Sequence, residues 1–351
     1  MSFVIGRGRE RESELVDGRI GTYRAVDGSE GAPLYLDFDS PHAMLVVGKR
    51  GYGKSYTLGV IAELLASTEG VAPVILDPMG VFDTLTDSTD EKRIPAAVIE
   101  NPTVTPDSLD PRSWCSLLGV DPESGAGSLL WSGAQDTETL SAMRDQIVDS
   151  NAPAVEKRAA RNYLGLAQSW DIFDAAGLDA ETLATSELTV LDLSGLDAAP
   201  MNAVCRAVCE ALYRARIENE ISRLPWVLLD EVHAFFEGIA HDALTLLLTR
   251  GRAPGVSLVA ATQRPSAVPD VAISQSDILI SHRLTAGDDL EALQAAQPTY
   301  LHRSLDERLP TEPGEVVIVD DATETVHSAQ IRERKTPHGG ESPSVADLRG
   351  F

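Results

Sequence analysis

Residues 43–66 read AMLVVGKRGYGKSYTLGVIAELLA. Residues 43–47 are apolar throughout and have the length of a buried strand. Residues 54–66 place Leu58, Ile61, Leu64 and Leu65 at helical spacing. Between strand and helix lies Gly48-Lys49-Arg50-Gly51-Tyr52-Gly53-Lys54-Ser55, a G-x-x-x-x-G-K-[ST] pattern. The glycines let the backbone turn tightly, so that N–H groups converge on phosphate oxygens. The following helix adds the positive end of its dipole. Gly48 through Tyr56 are therefore assigned to nucleotide, with Lys54 facing the β- and γ-phosphates and Ser55 a ligand for Mg²⁺. The competing reading is a structural glycine turn. A strand before the pattern and an amphipathic helix after it favour ATP.

Outward from this unit, short apolar strands recur at Val74–Asp77, Leu188–Leu193, Trp226–Asp230, Val256–Ala261 and Asp277–Ser281. Helical patterns at about 200–219, 239–250 and 287–296 alternate with them. Strands alternating with helices imply an α/β fold with a mainly parallel central sheet. VVIVDDATETVHSAQI (316–331) reads as a β-hairpin added at one end, from strands Glu315–Val319 and Thr325–Ile331. Residues 80–185 are looser and read as a helical insertion, with helices at 137–149 and 153–168. The DPMG, NPTVTPDSLDP and ESGAGS stretches read as loops. Residues 1–40 form a short N-terminal segment with one strand at Leu34–Phe38. Residues 41–335 form the core domain, and 336–351 a flexible tail.

Trp226-Val-Leu-Leu-Asp230-Glu231-Val-His233 ends an apolar strand in two carboxylates. With a phosphate loop upstream, Asp230 is assigned to Mg²⁺ and Glu231 to the general base that polarises water. A helix cap is the plain alternative. His233 reads equally as a link between hydrolysis and movement or as a hydrogen-bonded structural histidine. After strand 256–261, Gln263 is placed to orient water and sense the γ-phosphate; the plain alternative is a polar loop ended by Pro265. Arg250 and Arg252 end a helix, where cations suit the dipole. They are also candidates, Arg252 first, for an arginine reaching the nucleotide of a neighbouring subunit. Arg283 is a weaker candidate.

The chain has 351 residues and a formal net charge of −25. That length suits one large domain or two ordinary ones, and 43% hydrophobic residues support a sizeable core. Its 29 basic residues are 24 Arg and 5 Lys. An acidic, lysine-poor surface reads as halophilic, since molar salt shortens the Debye length to about 3 Å and screens self-repulsion. The acidic total does not exclude nucleic acid, because local arginines can make the contact. Three cysteines exclude a disulfide framework. Cys205 and Cys209 read as small core residues. No apolar run reaches the roughly 20 residues of a membrane helix. The expectation is a cytoplasmic protein without a membrane anchor.

Taken together, the phosphate loop, Leu76-Asp77-Pro78, LDLSGLD (191–197), LLDEVHAFF (228–236), LLTRGRAPGVSLVAATQRPS (247–266) and GEVVIVD…RERKTPHGG (314–340) resemble the HerA/FtsK superfamily, nearest its archaeal HerA branch. The resemblance spans roughly residues 33–340. It implies a RecA-like P-loop ATPase core and a homo-hexameric ring that translocates double-stranded DNA. A NurA-type nuclease is the partner it implies in DNA end processing. Two departures stand out. HerA proteins usually carry an N-terminal β-barrel, for which about 40 residues before the first core strand are too few. A basic residue usually precedes that strand, and here His42 holds the place. Motors that package or transfer plasmid or viral DNA, protein-secretion ATPases of the superfamily and an ATP-binding scaffold are the alternatives. A two-domain DExH helicase fits poorly, because the chain carries one phosphate loop and one acidic strand end, with Asp230 176 positions past Lys54.

Overall fold

A computed structural model describes residues 3–7, 16–24, 29–87, 94–295 and 309–339. Twelve strands form one sheet: β1 (Phe3–Ile5), β2 (Asp17–Arg24), β3 (Glu30–Asp37), β4 (Ala43–Val47), β5 (Val71–Asp77), β6 (Ala96–Ile99), β7 (Leu188–Asp192), β8 (Leu224–Leu229), β9 (Ser257–Thr262), β10 (Ile278–Ser281), β11 (Glu315–Asp320) and β12 (Thr325–Ile331). Their spatial order is β1-β3-β2-β12-β11-β10-β4-β9-β8-β5-β7-β6. From β10 to β6 every pair is parallel. From β10 to β3 every pair is antiparallel.

The parallel strands are apolar without alternation because both faces are covered. In β4, Met44 and Val46 join the core beneath α1 (Lys54–Leu65), while Leu45 and Val47 join the core on the other face. That second core is the larger. It holds α7 (Ala198–Ile217), α8 (His233–Phe236) and α9 (Ala240–Arg250), and beyond them α2 (Pro111–Leu117), α3 (Gly125–Asp136), α4 (Leu140–Asp149), α5 (Ala154–Ser169) and α6 (Ala180–Leu183). Short helices α10 (Asp270–Ser274) and α11 (Gly287–Ala295) flank β10 in sequence. Cys205 and Cys209 lie in this core, fully buried.

The structure departs from the sequence reading in several places. Residues 96–99, read as part of a helical insertion, are instead the sheet strand β6, because this short apolar run pairs in parallel with β7. The hairpin β11–β12 does border the parallel strands, but it is not the edge of the sheet, because β2, β3 and β1 continue beyond it. β2 escapes a propensity reading because it is polar and glycine-containing. Gly21 is required there, since a Cβ would stand 2.1 Å from the Gln330 carbonyl oxygen of β12. ESGAGS is not all loop. Ser124 caps α3 by accepting from the Gly127 N–H at 3.0 Å, and Gly127 lets the helix approach the Asp121 carbonyl. The helix expected at 137–149 begins at Leu140, because the Thr139 hydroxyl caps it, accepting from Ala142 N–H at 3.1 Å. The expected end of helix 287–296 and residues 340–351 of the expected tail lie outside the described residues.

Candidate active site

The phosphate loop leaves β4 at Val47 and enters α1 at Lys54. Gly48, Gly51 and Gly53 have φ of 156°, 82° and 105°. At Gly51 and Gly53 that is the left-handed region that favours glycine. His282, immediately after β10, supports the loop from below. A Cβ on Gly48 would stand 2.5 Å from the His282 Cβ. The His282 Nε2 is 2.9 Å from the Thr57 hydroxyl of α1. Burial, and then the Lys54 charge, push its pKa down to about 3, so the ring is neutral. Lys49 N–H donates to the Arg283 carbonyl at 2.8 Å, and the Lys49 ammonium lies 4.5 Å from the Tyr52 ring centroid. Arg283 thus sits beside its own chain's phosphate loop, its Nη1 donating to the Thr311 carbonyl at 3.1 Å.

Lys54 is buried at 6% exposure. Burial lowers its pKa, opposed by the Glu231 and Asp230 carboxylates. The Ser55 hydroxyl donates to Asp230 Oδ2 at 2.5 Å. This contact brings together two residues that the sequence separates by 175 positions. Both are hard oxygen donors aimed at one point beside the Lys54 ammonium, which fits Mg²⁺. Among the described residues no group of three or more His, Cys, Asp or Glu side chains gathers as a metal cluster.

Glu231 follows Asp230 with φ of 46°, a left-handed backbone that is costly for a residue with a side chain. Its N–H donates to Asp230 Oδ1 at 2.9 Å. Its Oε2 is buried with no hydrogen-bond partner and lies 3.4 Å from His233 Nδ1. Burial, then the Asp230 charge, raise the Glu231 pKa. The neighbouring strand end is tied to this turn, since Val232 N–H donates to the Ala261 carbonyl at 2.8 Å. Gln263 follows directly, half-buried, at the tip of β9. The structure therefore gathers Gly48–Tyr56, Asp230, Glu231 and Gln263 at the C-terminal ends of β4, β8 and β9.

Arg250 and Arg252 lie elsewhere. Arg250 ends α9 and Arg252 follows it, ahead of the N-terminal end of β9, the far end of the strands from the phosphate loop. Arg252 is exposed and its Nη2 donates to Asp277 Oδ2 at 2.6 Å. β4 alone separates the two ends by about 13 Å at 3.3 Å per residue.

Two site features went unnoticed in the sequence. Asp77 ends β5 next to Asp230, and accepts from the N–H groups of Met79, Gly80 and Phe82 at 3.0, 2.9 and 2.8 Å. Burial raises its pKa to about 6 against those bonds. Its signal was the Leu76-Asp77-Pro78 tripeptide. The second is a strap formed by residues 332–336 on the back of α1. Glu63, with no exposed surface, accepts from Lys335 N–H, Thr336 N–H and the Thr336 hydroxyl at 2.8, 2.9 and 2.9 Å, and pairs with Arg332 at 2.8 Å. A lone Glu on the apolar face of a predicted helix was the available signal.

The chain is similar to known proteins over most of its length. The chain is 22% identical, over an alignment 387 positions long, to the DNA double-strand break repair helicase HerA of Pyrococcus furiosus, covering 86% of this chain and 68% of that protein. VirB4 of Thermoanaerobacter pseudethanolicus superposes with a TM-score of 0.66 at 16% identity, covering 93% of this chain and 98% of that one. The bacterial conjugative coupling protein TrwBΔN70 superposes with a TM-score of 0.58 at 15% identity, covering 96% and 99%. These likenesses establish the RecA-like P-loop ATPase fold. Residues 19–212, more than half the chain, match the family described as Helicase HerA, central domain, and the chain belongs to that family.

Proposed function

We propose that this chain is an ATP-hydrolysing motor that translocates double-stranded DNA as a homo-hexameric ring. The observation that carries hydrolysis is the convergence of Lys54, Ser55, Asp230 and Glu231 on one point, with Gln263 beside it. The DNA substrate is proposed from the Pyrococcus relative, which is named as a DNA repair helicase. Residues 41–335 are the proposed motor domain, with 80–185 its helical insertion.

Loop N–H groups at Gly48–Ser55 and the N-terminus of α1 hold the phosphates. Ser55 and Asp230 are the residues that would hold Mg²⁺, which supplies charge neutralisation at the phosphates. Glu231 accepts a proton from water in line with the γ-phosphate. Gln263 orients that water and transmits phosphate loss to the loop after β9. Arg252 acts on the nucleotide of the adjacent subunit, in keeping with its place at the opposite end of the sheet. DNA end processing with a NurA-type nuclease is the proposed task.

The test is ATP hydrolysis in about molar KCl, with and without linear double-stranded DNA, using Glu231→Gln as control. Stimulation by DNA that disappears in the variant is the expected result. Hydrolysis indifferent to DNA would replace DNA by a protein substrate. Absence of Glu231-dependent hydrolysis would sink the motor reading.

A further inference from the structure

Glu231 Oε2 is a buried carboxylate oxygen without a hydrogen bond, held by a left-handed backbone. An unsatisfied buried oxygen is costly. The polar groups facing this carboxylate are His233 Nδ1, 3.4 Å from Oε2, and the Gln263 backbone N–H. That nitrogen is also 3.2 Å from the Thr262 hydroxyl, which accepts from the Arg264 N–H at 3.0 Å. Thr262 ends β9 and is fully buried. His233 Nδ1 thus stands between the acidic turn and the strand end that leads to Gln263.

A neutral histidine carries one ring proton. With that proton on Nε2, the bare Nδ1 lone pair would face the Glu231 carboxylate. With it on Nδ1, both neighbouring oxygens are acceptors. The Thr262 hydroxyl can accept from an Nδ1–H or donate to a bare Nδ1, whereas the Glu231 carboxylate can only accept; the carboxylate therefore favours the Nδ1–H tautomer, in which one N–H is shared between two acceptors. The backbone bond from Val232 to Ala261 fixes the two strands just upstream. Any rearrangement is left to the side chains of Glu231, His233 and Thr262 and to the loop at 263–264.

We propose that His233 and Thr262 are positioning residues forming a latch for Glu231, in which the Thr262 hydroxyl competes with the carboxylate for the His233 Nδ1–H. When the loop after β9 holds Thr262 against His233, Glu231 is released toward the water. When it withdraws, the N–H passes to Glu231 and parks it. The state of the sensor loop then gates hydrolysis without altering nucleotide affinity. This rests on Glu231 being the general base of the proposed function.

A double-mutant cycle tests it. Thr262→Val should lower kcat by at least about tenfold, within the ~10²–10⁴ that a positioned general base contributes. KM for ATP and the affinity for a fluorescent ATP analogue should not change, and Thr262→Ser should restore kcat. In a His233→Ala background, Thr262→Val should have no effect on kcat, and DNA should no longer stimulate. Equal effects of Thr262→Val in both backgrounds would overturn the latch. A second readout needs neither turnover nor a folded variant of Thr262. Nitrogen-15 NMR of ring-labelled wild-type protein, with the His233 signal assigned by its loss in His233→Ala, should show the Nδ1–H tautomer. The Nε2–H tautomer would overturn the proposal. If wild-type protein shows no Glu231-dependent hydrolysis, the motor reading fails while the NMR arm still decides the tautomer.

Discussion

The His42 imidazole places Nδ1 2.8 Å from Asp277 Oδ2, at the N-terminal end of β4 and with almost no exposed surface. Its Nε2 is 3.7 Å from Asp37 Oδ2, and Asp37 pairs with Arg7 at 2.7 Å. Arg252 occupies the outer side of Asp277. Cations and anions therefore alternate from Arg7 through Asp37, His42 and Asp277 to Arg252, tying Arg7, just after β1, to Arg252, just after α9. Burial disfavours the His42 cation, but its hydrogen bond to the Asp277 carboxylate and the nearby Asp37 carboxylate, and then the charges of both, raise its pKa to about 9. His42 is thus a cation near neutrality.

The pH dependence of stability follows from that shift. The folded pKa of His42 lies above the ordinary 6.5, so its contribution is complete below pH 6.5 and is lost as pH rises through about 9. Asp37 and Asp277 shift the other way. Burial raises them, but the hydrogen bond from His42 outweighs it, with Arg7 adding at Asp37 and Arg252 at Asp277. Their contribution is present above the ordinary 3.8 and is lost as pH falls below it. Thermal unfolding should therefore show a midpoint that declines from pH 7 to pH 10. His42→Gln should lower the midpoint at pH 6, at a cost of about 3–5 kcal/mol for a buried pair broken on one side, and flatten the alkaline decline. An unchanged alkaline decline in that variant would refute the assignment.

Arg252→Ala should leave ATP-analogue affinity and the unfolding midpoint nearly intact. The side chain is 70% exposed, and an exposed pair contributes little to stability. Turnover should fall by about 10³-fold or more if the arginine acts across a subunit boundary. Adding excess Lys54→Ala protein, which still carries Arg252, should restore part of it in mixed rings. Turnover at the wild-type rate in Arg252→Ala would move the assignment to Arg250 or Arg283.

The backbone of Glu231 gives a stability–activity contrast. Its left-handed conformation disfavours any side chain by about 1–2 kcal/mol. Glu231→Gly should therefore unfold at a higher temperature than Glu231→Ala, although both abolish hydrolysis. Differential scanning calorimetry of the two variants checks this. A glycine variant less stable than the alanine one would mean that the turn is not strained.

The strap on α1 predicts large effects far from the phosphates. A Cβ on Gly59 would stand 2.8 Å from the Arg334 guanidinium, itself held to Thr336 at 2.9 Å. Gly59→Ala should cost about 1–3 kcal/mol by overpacking. Glu63→Gln should cost more, about 3–5 kcal/mol, because it leaves the buried arginine cations without their carboxylate. Urea unfolding would check the order. Glu63→Gln at wild-type stability would show that the strap is not anchored there.

Much of the site was legible because its chemistry is local in sequence. The phosphate loop, the Asp230–Glu231 pair and Gln263 each sit at a strand end, and apolar strands followed by polar residues announce such ends. The parallel core was legible for the same reason, since its strands bury both faces. β2 was not, because its glycine serves a neighbouring strand rather than its own propensity. Nor was the start of α3, where Gly125 and Gly127 weaken the helical signal and serve close packing instead.

The sequence by itself determined the ATPase family, the phosphate-loop motif and the alternation of short apolar strands with helices that makes an α/β fold. Only the tertiary structure decided which carboxylate faces Ser55, that His282 is a neutral prop and His42 a buried cation, that Glu63 fastens a strap and that Glu231, His233 and Thr262 meet. The physical reason is that burial and charge partners set these roles. Each of those partnerships except Glu231 with His233 and His42 with Asp37 joins residues at least 29 positions apart, and no local pattern records them.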